Sequence, residues 1–186
     1  MYNLIIHITF FYDKNQVKFD LWSARVLYLC FMNRSDVLRN IRYTFNLNDD
    51  KMIKMCSYKD EVVTRTEISN WLKKDDHPDF QEIPDRKLSI FLNSFIEKRR
   101  GKQEGKELAP DKFLNNNIIL RKLKIALELK TDDMVEIFRY VEIRVSEHEI
   151  NAFFRKPGQR QYRKCLDQFL RNFLYGIKVK YKGAEV

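Results

Sequence analysis

Apolar residues recur every three or four positions along most of the chain after residue 32, the spacing that gives a helix one apolar face. The pattern occurs twice. Val37, Leu38, Ile41 and Phe45 form one stripe, and Ile119, Leu120, Leu123 and Leu127 form its counterpart. Sliding the chain by 82 residues aligns 33–101 with 115–183 without a gap, and 17 of the 69 positions are identical. Most other core pairs exchange one apolar residue for another, as Ile41 for Leu123 and Trp71 for Phe153. This self-similarity predicts an all-α protein built from two tandem pseudo-repeats of about four helices each.

The local signals agree in both copies. Asn48-Asp49-Asp50 and Lys130-Thr131-Asp132-Asp133 supply caps and first-turn acids for a second helix, which would bury Met52, Ile53, Met55 and Cys56, or Met134, Val135, Ile137 and Phe138. Thr64 with Glu67, and Ser146 with Glu149, have the spacing of capping boxes opening a third helix. Ile68, Trp71 and Leu72 would face inward from it, as would Ile150, Phe153 and Phe154. Pro78 and Pro84, and Pro157-Gly158, interrupt the chain before a fourth helix. Its stripe is Leu88, Phe91, Leu92, Phe95 in one copy and Leu166, Phe169, Leu170, Phe173, Leu174, Ile177 in the other.

Between the copies, 102–114 is polar, contains Gly105 and Pro110, and predicts a flexible linker. The first 31 residues lack the repeat pattern. Alternation in 4–12 suits a strand, and 21–31 suits a helix.

Four stretches in order, SDVLRNIRYTFNLNDDKMI, VTRTEISNWLKKDDHPDF, NNIILRKLKIALELKTDDMVEI and AFFRKPGQRQYRKCLDQFLRNFL, resemble the YehS-like bacterial proteins. The resemblance covers about residues 32–183. It implies a bacterial protein carrying one domain of unknown function twice, and it brings no activity, cofactor or catalytic residue. Members of that family begin near the equivalent of Met32. The resemblance therefore implies that Met32 is the native start and 1–31 a non-native extension, from upstream translation or cloning.

Composition narrows the function classes. The chain is 33% charged with a net charge of +9, which favours a polyanionic partner. Cys30, Cys56 and Cys165 form no metal-binding or disulfide pattern, so a reducing cytoplasm is the expected setting. No apolar run approaches the roughly 20 residues of a membrane span, and no membrane role is expected. Nothing places a nucleophile beside a base, so no catalysis is expected. His7, His77 and His148 read as surface residues. The loop Asp75-Asp76-His77-Pro78-Asp79 lacks the central Gly and later Glu of a calcium loop, and neither metal nor cofactor is expected.

Nucleic acid is the best-motivated partner. Repeat 2 carries 15 basic residues against 8 acidic, and repeat 1 carries 14 against 12. The excess gathers in 154–164, where Arg155, Lys156, Arg160, Arg163 and Lys164 surround Tyr162 without an acid. That set suits phosphate contact with base stacking. The third helix of each unit also resembles the second helix of a helix-turn-helix, and in repeat 1 its outer side offers Arg65, Asn70 and Lys73. The alternative partner is a protein or a second copy of the chain. Residues 73–82, the equivalent of the basic loop, are net acidic, so the two loops could attract each other.

Overall fold

A computed structural model describes residues 32–102 and 108–182. The expectations for 1–31 lie outside them. The described residues hold eight helices and no strand: α1 (Arg34–Thr44), α2 (Asp49–Cys56), α3 (Arg65–Leu72), α4 (Asp85–Arg100), α5 (Asn116–Ala126), α6 (Thr131–Arg139), α7 (Glu147–Ala152) and α8 (Asp167–Tyr181). One half contributes α1–α4 and the other α5–α8, so the all-α, duplicated architecture is as the pattern predicts.

Matching local chemistry shapes the matching helices. Both predicted capping boxes form. The Thr64 amide donates to Glu67 Oε2 at 2.8 Å and the Glu67 amide returns to Thr64 Oγ1 at 3.2 Å. Ser146 and Glu149 repeat this at 3.0 and 3.3 Å. Each box is worth on the order of 1 kcal/mol to its short helix. The first helices stop in the same way as well. Asn46 and Glu128, 82 positions apart, are both left-handed, with φ of 48° and 52°. The next amide in each case reaches back across the turn, Leu47 to Arg42 O and Leu129 to Lys124 O, both at 3.0 Å.

The stripes read from the sequence are the core. Leu38, Leu120, Phe91 and Phe173 are all fully buried, so equivalent positions share equivalent surroundings. Leu166 departs from expectation. It sits at the N-cap of α8, where Pro84 stands before α4, and is 66% exposed. It precedes the helix, so the helical period that placed it inside does not apply to it.

The helices exchange partners between the halves. α1 packs chiefly on α8, and α5 on α4, while each has only minor contact with the fourth helix of its own repeat. α2 and α6 stay at home, on α4 and α8. Phe45 shows the exchange in its ring contacts, lying 5.0 Å from Phe95 and 6.0 Å from Tyr181 between centroids.

A polar junction ties the exchanged ends. Asp85, opening α4, accepts from the Leu114 amide at 3.0 Å and from Arg34 Nε at 2.7 Å. Asp167, opening α8, accepts from the Met32 amide at 3.3 Å and from Asn116 Nδ2 at 2.6 Å. Each pair of donors is the other's equivalent, so one clasp is made twice. Arg34 also donates to the Leu114 carbonyl at 2.5 Å, within its own clasp, and to Asn116 Oδ1 at 3.5 Å, which joins the two clasps. An open cleft of about 640 Å³ lies here, lined among others by Asp85, Asp167, Glu82 and Lys164.

The connection between repeats differs from its reading as flexible. Its described part is docked. Ser89 Oγ accepts from the Asp111 amide at 2.8 Å and donates to the Asp111 carboxylate at 2.9 Å. Asn93 Nδ2 donates to the Leu108 carbonyl at 2.9 Å, and Lys122 pairs with Asp111 at 2.9 Å. Leu114 is buried. The polar composition that suggests a solvated linker serves here as ligands to buried Ser89 and Asn93.

Two outcomes follow from this packing. A fragment ending at Gly101 exposes the faces of α1 and α4 that the other half covers. It is expected to show no cooperative thermal unfolding by circular dichroism, and to regain it when mixed with the complementary fragment. The second concerns Gly176 on α8. A Cβ there would collide with the Ile137 carbonyl oxygen and stand 2.7 Å from Ile137 Cγ2. Gly176→Ala is expected to destabilise the protein by roughly 1–3 kcal/mol, seen as a lower Tm, because backbone has to move.

Candidate nucleic-acid interface

The loop between α7 and α8 is organised by a single buried side chain. Asn117, on α5, is 6% exposed. Its Nδ2 donates to the Phe153 carbonyl at 2.9 Å and the Arg163 carbonyl at 2.8 Å. Its Oδ1 accepts from the Cys165 amide at 3.0 Å and from the Tyr162 hydroxyl at 3.4 Å. In repeat 1 the equivalent Ser35 makes the corresponding tie, accepting from the Ile83 amide at 3.1 Å.

The two loops share one backbone skeleton. In repeat 2, Gln159 N reaches Lys156 O, Tyr162 N reaches Gln159 O, and Arg163 N reaches Ala152 O, at 3.1, 2.9 and 3.1 Å. In repeat 1, His77 reaches Lys74, Phe80 reaches His77, and Gln81 reaches Asn70, at 3.0, 2.9 and 3.3 Å. Gly158 has φ 90°, a conformation that suits glycine.

Their charges behave oppositely. In repeat 1 Lys73, Arg39 and Arg65 are spent internally, while Lys74 is exposed without an ion pair among the described residues. Lys73 pairs with Asp79 at 2.8 Å and donates to Asn70 Oδ1 at 2.9 Å. Arg39 pairs with Asp75 at 2.9 Å and donates to the Lys73 carbonyl at 2.5 Å. The Lys73 ammonium holds the Asp79 carboxyl below the usual carboxylate range. Arg65 pairs with Asp49 at 3.2 Å and Asp50 at 2.5 Å. Arg65, Asn70 and Lys73, expected as contacts on the third helix, are thus engaged within repeat 1.

In repeat 2, Arg155, Lys156, Arg160, Arg163 and Lys164 are all exposed. None forms an ion pair among the described residues. Arg160, Tyr162 and Arg163 meet His148 and Glu149 around a cleft of about 220 Å³. Glu149 is the acid there. The Ser146 amide and then its hydroxyl hold its carboxyl below the usual range, with smaller contributions from Arg163 and His148. Lys164 lines the other cleft, beside Asp167, so it stands apart from Arg160 and Arg163.

Two differences from the sequence reading have plain causes. Tyr162 is half-buried with its hydroxyl turned to Asn117, so it also anchors the loop. Arg121 was not singled out, yet it belongs to the surface. Its equivalent Arg39 is neutralised by Asp36 and Asp75, where Arg121 faces Ile118 and Pro157 in sequence. It holds the Phe154 carbonyl at 2.8 Å and remains exposed. The identity of Arg39 and Arg121 in the internal alignment, with the acids missing from repeat 2, carried that signal.

Both repeats match one family model, described as a protein of unknown function (DUF1456), over residues 35–101 and 116–183. The chain belongs to this family. It is also 41% identical over 150 residues to the uncharacterized protein YehS of Escherichia coli (strain K12), a match spanning 80% of this chain and 96% of that relative. No solved structure matches. In this DUF1456 chain the family match takes in Asn117, the whole basic loop, and both clasp aspartates.

Asn117→Ala leaves buried backbone groups at Phe153, Arg163 and Cys165 without partners. A loss of roughly 1–3 kcal/mol is expected. Faster amide exchange confined to 153–165 would show that the loop is released locally.

Proposed function

We propose that this protein is a non-catalytic binder of nucleic acid, with the loop 154–164 supplying phosphate contacts. The observation that carries the reading is the difference between the two loops. They share a backbone skeleton, and the repeat 1 version carries four acids against two lysines, with Lys73 paired to Asp79. The fold therefore does not require five exposed cations on the second loop. Like charges gathered on one loop repel one another, and a polyanion relieves that repulsion. Arg163 extends the basic surface around Arg160, and Arg121 adds an exposed cation at the Phe154 carbonyl.

The contacts such a surface makes are to backbone phosphates, so binding is tolerant of sequence. A cytoplasmic setting belongs to the same reading. It is supported by the free, buried thiols of Cys56 and Cys165, each pushed up to about 12 by burial. Among the described residues no helix is long and apolar enough to cross a membrane.

Self-association through oppositely charged loops has less support. Asp75 and Asp79 are already paired with Arg39 and Lys73, so only Asp76 and Glu82 remain on the first loop as exposed acids outside ion pairs among the described residues.

The test is a titration of labelled duplex and single strand at several salt concentrations, read by fluorescence anisotropy. Affinity is expected to fall steeply with salt. Arg160→Ala with Arg163→Ala should weaken binding to duplexes of any sequence and reduce the salt slope by about 2. No binding at low salt, or an unchanged slope in the variant, overturns the reading. A dimer in sedimentation that dissociates on charge reversal of the loop would put self-association in its place.

A further inference from the structure

The ridge where α1 crosses α8 carries a different arrangement. Tyr43 on α1 and Tyr175 on α8 are 55% and 54% exposed. The Lys178 ammonium lies between them, 4.5 Å from the Tyr43 ring centroid and 5.8 Å from that of Tyr175. Lys182 Nζ stands 5.9 Å from the Tyr43 ring. Neither lysine has an ion pair among the described residues. The neighbouring Arg42 is held by Asp49 at 2.7 Å. A groove of about 610 Å³ runs beside the ridge, reaching Asn46 and Lys182.

The internal duplicate shows that packing does not demand these residues. On the α4–α5 ridge, Ile125 stands for Tyr43, Asn93 for Tyr175 and Ile96 for Lys178. There Asn93 binds the carbonyls of Leu108 and Ala109, and Ile96 is buried. The connecting segment covers that ridge at Asn93. On the α1–α8 ridge the same positions hold two aromatic rings and an ammonium group, open to solvent.

We propose that Tyr43, Tyr175, Lys178 and Lys182 form a platform for an unpaired nucleic-acid strand. The rings stack on exposed bases and the lysines meet the flanking phosphates. Stacking needs only a free base face, so it tolerates any sequence, and alternating rings and cations suit a strand that presents bases and phosphates together. A tyrosine ring is also rigid, with little conformational freedom to lose on contact. A duplex keeps its base faces stacked inside and has nothing to offer the rings. This goes beyond the reading of the basic loop, which selects phosphate and not strandedness, and it stands on separate residues.

The experiment compares the full chain with Tyr43→Ala/Tyr175→Ala and Tyr43→Phe/Tyr175→Phe, using DNA and RNA strands of about 16 nucleotides and the matching duplex. The alanine pair is expected to lose about tenfold or more in single-strand affinity, with duplex affinity and Tm unchanged. The phenylalanine pair keeps the ring faces and is expected to restore it. Wild-type protein irradiated with a 5-iodouracil-containing strand should form cross-links in peptides bearing Tyr43 or Tyr175. Unchanged single-strand affinity in the alanine pair, failure of phenylalanine to restore it, or cross-links confined to 154–164 overturns the proposal. Loss with Arg160→Ala/Arg163→Ala alone leaves the loop standing and removes the ridge. Loss with the tyrosine variants alone does the reverse.

Discussion

The structure depends on each repeat lending its first helix to the other. α1 buries its stripe chiefly against α8, and α5 against α4. A helix of 11 residues, such as α1 or α5, is too short to persist alone in water. Its order comes from the face it covers, and that face belongs to the other half. The same surfaces meet in both directions, as in a closed two-fold interface between subunits, except that one chain supplies both. The clasps at Asp85 and Asp167 mark the ends of this exchange. Each carboxylate sits in the first turn of a helix, where negative charge is favoured, and captures an amide just ahead of the incoming helix.

Much of this was legible before any coordinates. The period of the stripes located the helices, and Thr64–Glu67 with Ser146–Glu149 fixed where two of them begin. Which fourth helix each first helix meets was not legible, for a physical reason. A 3.6-residue period says that a face is buried and says nothing of what covers it. Phe91 and Phe173 are equally good partners for Leu38 or Leu120. The connecting segment was misread by the same logic. Asp111 looks solvated in sequence, and only the structure shows Ser89 and Lys122 waiting for it.

The candidate site divides along similar lines. The basic run in 154–164 is local, so sequence finds it. Pairing is not local. Arg65 meets Asp49 and Asp50 some fifteen residues away, and Arg39 meets Asp75 across a longer gap, so their neutralisation could not be counted from composition. The hydroxyl of Tyr162 meets Asn117, on a helix 45 residues earlier, which composition could not show. The ridge of Tyr43 and Tyr175 was invisible for the reason that hid the exchange itself: its two rings come from different repeats.

Duplication gives a physical reason to expect asymmetry of this kind. A closed pair of identical units satisfies its core twice over, and the connection can cover only one of two equivalent ridges. Here Leu108, Ala109 and Asp111 settle on α4, through Asn93 and Ser89. The corresponding position on α8 to Asn93 is Tyr175, whose ring is exposed. Core packing holds Leu38 with Leu120 and Phe91 with Phe173 to one solution, since any change in volume is felt on both sides of the exchange. Surface positions carry no such constraint. The two halves therefore share a skeleton while their exposed chemistry diverges, with acids outnumbering cations on the repeat 1 loop and unpaired cations on the repeat 2 loop.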